Sequence, residues 1–121
     1  MKLLAAAVLL IFALVGSAFH NNGFERRDRL SEYGFFTGDL SLLQPAKGVV
    51  PYDVNTPLFS NYAEKLRFVR LPEGASATYQ DSTSFTFPTG TVLIKNFYYP
   101  HDARKLEKGR RIIETRLLVN T

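Results

Sequence analysis

The chain has 121 residues, a formal net charge of +4, 45% hydrophobic residues, ten Phe and six Tyr, and neither Trp nor Cys. A domain takes about 100–200 residues, so this length holds one domain at most. Without cysteine there is no disulfide scaffold, zinc–thiolate site, iron–sulfur cluster or covalent c-type haem in this chain, and an ordinary charged fraction with many aromatics argues against general disorder.

The first segment reads as an address. Met1-Lys2 supplies a positive charge, Leu3–Val15 is an unbroken apolar run, and Gly16-Ser17-Ala18 ends it with small side chains. That order is a secretory signal peptide over residues 1–18. The run is too short for a membrane helix, which needs about 20 apolar residues to cross ~30 Å of hydrocarbon. Phe19 stands where a lipoprotein needs cysteine. The expectation is export, to the periplasm, with no transmembrane helix after cleavage. The remaining chain keeps every Phe and Tyr except Phe12. Each ring can bury about 150–250 Å², so aromatic burial is expected to replace disulfides.

Residues 19–43 form a lead-in. Asn22 is a candidate cap for a short helix over Phe24–Tyr33, with Gly34 suited to its end. Pro45, Gly48, Pro51 and Pro57 then forbid a long regular element, so 44–57 reads as an extended crossing held down by Val49, Val50, Tyr52 and Val54. Thr56-Pro57 has helix-start chemistry, which predicts a short helix or turn over Leu58–Lys65 with Leu58, Phe59 and Tyr62 facing inward.

From Leu66 the pattern becomes β. Strands are predicted at Leu66–Leu71, weakly at Ala77–Tyr79 and Phe85–Phe87, then at Thr91–Tyr99 and Arg110–Val119, the last two pairing antiparallel across a charged loop. Alternation over the last strand puts Ile113, Thr115, Leu117 and Val119 on one face and Ile112, Glu114, Arg116 and Leu118 on the other. The fold class is mainly β or α+β: an antiparallel sheet with one or two short helices in a β-rich module over 44–121. The sequence stops at Thr121 directly after a strand that belongs inside a sheet. The expectation is an incomplete domain, continued by another strand or a covering element.

Four stretches carry a resemblance. They are Leu30-Ser31-Glu32-Tyr33-Gly34-Phe35-Phe36, then Gly48-Val49-Val50-Pro51-Tyr52-Asp53-Val54-Asn55-Thr56-Pro57-Leu58-Phe59-Ser60-Asn61-Tyr62-Ala63, then Phe87-Pro88-Thr89-Gly90-Thr91-Val92-Leu93-Ile94-Lys95-Asn96-Phe97, and Ile113-Glu114-Thr115-Arg116-Leu117-Leu118. Together they resemble the opening of an uncharacterised family of exported bacterial proteins described as dihaem c-type cytochromes. The run from Tyr52 to Tyr62 is its most specific part. The resemblance implies further β structure and then Cys-x-x-Cys-His haem motifs in longer members. Those motifs are absent here, so no haem or other cofactor is expected in this chain, and the missing haem part or a periplasmic protein is its expected partner.

No pattern names a reaction, and no catalytic or metal residue is assigned. His101-Asp102 is a neighbouring imidazole–carboxylate pair, but no nucleophile motif accompanies it and an exposed loop pair is the plainer reading. His20 with His101 gives too few ligands for a metal. Asp53, Asn55 and Asn61 have oxygen-ligand chemistry but fit backbone turns better. Arg104, Lys105, Lys108, Arg110 and Arg111 form the strongest basic cluster, suited to an anionic surface or simply to a solvated hairpin loop. Nucleic acid is not an expected partner, because stacking aromatics do not interleave with those charges. Tyr98 and Tyr99 end the strand beside that loop and complete the candidate interaction surface. The leading expectation is a non-catalytic module associated with a cytochrome. Its competitors are one wall of an enzyme site completed elsewhere and a carbohydrate- or surface-binding β module.

Overall fold

The computed structural model describes residues 23–121. The segment expected to be a signal peptide, Asn22 and His20 lie outside the described residues. The fold is mainly β. Strands β1 (Phe36–Thr37) and β2 (Gln44–Pro45) form a small antiparallel ribbon. Strands β3 (Val49–Tyr52), β4 (Glu64–Arg70), β5 (Val92–Pro100) and β6 (Arg110–Val119) form one antiparallel sheet in sequence order. The β5–β6 pairing across the charged loop is the one expected from sequence. Among the described residues no helix is long and apolar enough to cross a membrane.

One face of the sheet is the core face. Val49, Phe68, Val92 and Ile94 project from it onto Phe35 and Leu43, with Phe24, Leu30, Tyr33, Phe36 and Leu40 packed around them. The lead-in therefore forms the second layer, and burying that apolar surface is what joins the two. β5 shows why it sits centrally. Val92, Ile94, Asn96 and Tyr98 alternate as buried residues, while Leu93, Lys95, Phe97 and Tyr99 point the other way.

The expected helix over Phe24–Tyr33 is shortened, and Leu58–Lys65 takes the turn alternative. The chain over Phe24–Tyr33 is extended until a single 3-10 turn at Leu30–Tyr33, closed by Gly34 at φ 64°. Phe24, Tyr33 and Phe35 stack in series, with ring centroids 5.4 and 5.2 Å apart, and the Arg27 amide donates to the Tyr33 hydroxyl at 2.8 Å. Of the helix or turn expected over Leu58–Lys65 the turn forms, closed by the Ala63 amide donating to the Ser60 carbonyl at 2.8 Å, while β4 recruits Glu64 and Lys65 into pairing with Tyr98 and Phe97.

The expected crossing contains β2 and β3, and only Val49 of its four anchors is buried. The weak strands reduce to one bridge between Thr78 and Thr86. Face assignment on β6 is also corrected. Phe97 opposes Glu114 while Tyr98 opposes Ile112, so Ile113 is an extra residue in a β-bulge. The bulge turns Ile112 toward the core and Ile113 outward, because one inserted residue reverses the alternation beyond it.

Candidate functional site

The segment from Asp53 to Ala63 joins the end of β3 to the start of β4. It carries the largest exposed apolar side chains of the chain as described: Leu58 is 80% exposed, Phe59 76% and Tyr62 83%. These residues were expected to face inward. The backbone that displays them is held from the sheet. The Tyr99 hydroxyl donates to the Asn61 carbonyl at 2.9 Å, and the Lys65 ammonium donates to the Leu58 carbonyl. Phe59 and Tyr62 meet edge to face at 5.2 Å. Asn61 and Tyr62 both have positive φ, 50° and 64°, a conformation uncommon for a bulky residue and one that turns the ring outward.

The charged stretch 101–111 lies at the same end of the sheet, because β5 ends and β6 begins there. Arg104 and Lys105 are exposed. Asp102 gathers Lys108 at 3.2 Å and Arg104 at 3.9 Å, so its carboxylate serves loop closure and not His101. Arg111 lies over the Tyr99 ring at 5.8 Å. Asn61, Tyr99 and Arg111 thus link the apolar loop to the basic stretch in one continuous surface. Tyr98 and Arg110 are taken out of it. Tyr98 is 6% exposed on the core face, and the Arg110 guanidinium covers its ring at 4.5 Å with Nε and Nη1 buried and unpartnered. Burial pushes the Tyr98 phenol above its ordinary value, with Arg110 opposing and Glu64 adding to that rise.

The outer face of the sheet holds a second feature. Register places Val50, Val69, Leu93 and Leu118 in one row across all four strands, and Tyr52, Arg67, Lys95 and Arg116 in the next. Opposed residues on antiparallel strands have Cβ atoms about 4.5–5.5 Å apart, and like charges so placed repel. Asp53 relieves Arg67 at 2.9 Å, and Glu114 pairs with Arg116 through two hydrogen bonds. Glu114 is held below the usual carboxylate range by that hydrogen bonding. Sequence reading missed this row, although the outward positions of the alternation contain it. Asp53 is an ion-pair partner here, and Asn61 supplies a carbonyl to Tyr99. Among the described residues no three of His, Cys, Asp and Glu come together as metal ligands.

No protein family, curated protein or solved structure matches the chain.

Proposed function

We propose that this chain is a non-catalytic, exported β module of a c-type-cytochrome-associated protein, and that its work is docking. The partner is a haem-bearing polypeptide with an acidic rim around an apolar patch. One observation carries the reading: the most specific run of the sequence is displayed as an exposed apolar loop, braced by Tyr99 and Lys65, beside a basic stretch. Rigid aromatic anchors supply interface energy at low entropic cost, and surrounding charges steer the encounter and set register. The resemblance to the cytochrome family supplies the partner's chemistry and the expected periplasmic address.

The test is reconstitution with the c-type haem polypeptide encoded together with this chain, followed by sedimentation at the haem absorbance. Haem absorbance is expected to sediment with the chain, and Phe59→Ser is expected to weaken the complex by about 2 kcal/mol, the scale of an interface anchor. No co-sedimentation, or an unchanged complex with Phe59→Ser, refutes the docking role.

A further inference from the structure

The outer face carries more than a charge pattern. The connection between β4 and β5 lies beside the apolar row and bounds a half-open pocket of about 820 Å³, lined by Val50, Val69, Leu71, Phe85, Phe87 and Leu93, with the carboxylates of Asp53 and Glu73 also in its wall. A cleft of about 610 Å³ adjoins it across Tyr52 and Leu93 and is lined by Arg67, Lys95 and Arg116. Both volumes fall within the range of about 300–1,000 Å³ usual for small-ligand sites.

Lys95 is the decisive residue. It lies between Arg67 and Arg116 on the neighbouring strands, and each of those has a carboxylate. Among the described residues Lys95 has none, only the Phe97 ring at 4.9 Å. Desolvation, then the nearby Arg67, Lys65 and Arg116, lower its ammonium below the ordinary lysine value, against a smaller opposing effect of Glu114. A partly desolvated cation flanked by cations favours an added anion, and the anion that fits carries an apolar body long enough to enter the adjoining pocket.

We propose that this cleft binds a monomeric anionic amphiphile, its carboxylate on Lys95 and its hydrocarbon chain in the pocket beside the β4–β5 connection. The site is separate from the docking end and does not depend on it. A bilayer is not the occupant favoured by this shape: surface insertion uses protruding apolar side chains, whereas Val69, Leu71, Phe87 and Leu93 are half-buried here and only Val50 and Phe85 are exposed, at the rim.

The experiment is calorimetric titration of the purified chain with dodecanoate below its micelle concentration, beside 1-dodecanol, acetate and phosphatidylglycerol vesicles. Dodecanoate is expected to bind once per chain, with the alcohol weaker by about tenfold, the scale of a hydrogen bond to a charged group. Acetate is expected to give no binding. Lys95→Gln is expected to weaken dodecanoate by about the same factor, and Lys95→Arg to retain it. Phe85→Ala tests the pocket wall from an exposed loop position and is expected to weaken both long-chain ligands. Equal affinity for acid and alcohol, unchanged affinity in a folded Lys95→Gln, or binding to vesicles alone overturns the proposal.

Discussion

Tyr62 concentrates what this chain does with a single residue. Its φ of 64° is a conformation that costs an L-residue roughly 1–2 kcal/mol, yet the ring gains almost no burial in return. Replacement by glycine removes that strain but adds disorder to the unfolded chain worth about 0.5–1 kcal/mol. Tyr62→Gly is therefore expected to leave the urea midpoint unchanged or slightly raised, while weakening the proposed complex with a haem protein. A clear drop in the midpoint would mean that Tyr62 supports the fold. Sequence could not show any of this. Leu58, Phe59 and Tyr62 are apolar, and composition assigns apolar residues to a core unless tertiary contacts place them elsewhere. The strand over Thr91–Tyr99 was legible, but which side faces the core was decided by the lead-in packed on Phe68 and Ile94.

At the scale of elements, β5 and β6 were readable because β-branched and aromatic residues run between clear turn signals. The turn that starts β5 gives a direct test. Gly90 has φ +88°, and an added Cβ would meet the Pro72 ring at 3.2 Å. Its amide donates to the Asn120 carbonyl at 2.7 Å, tying the start of β5 to the end of β6. Gly90→Ala is expected to cost about 1–2 kcal/mol of stability from the left-handed backbone, read by urea denaturation. A change near zero would place no constraint on that turn. Of the helix or turn expected after Thr56-Pro57, only the turn forms. Capping chemistry is local and weak, about 0.5–2 kcal/mol, and cross-strand pairing at the start of β4 overrides it. The bulge at Ile113 left no signal in its neighbours, because register is fixed by the partner strand. The cationic row was hidden likewise, since Tyr52, Arg67, Lys95 and Arg116 meet only once four strands are aligned.

The whole molecule is two-layered and asymmetric. One face of the sheet is covered by the lead-in, and the other carries the amphiphile cleft. The end shared by residues 53–63 and 101–111 presents apolar rings beside basic side chains. The basic stretch was visible as a cluster in the sequence, but its apolar complement was not, and the proposed docking depends on the two together. Hydroxyl-radical footprinting of the chain alone and mixed with the c-type haem polypeptide proposed as its partner tests that account most directly. Leu58, Phe59 and Tyr62 are expected to label strongly when free and to become protected in the complex. Weak labelling in the free chain, or labelling unchanged by complex formation, would contradict it.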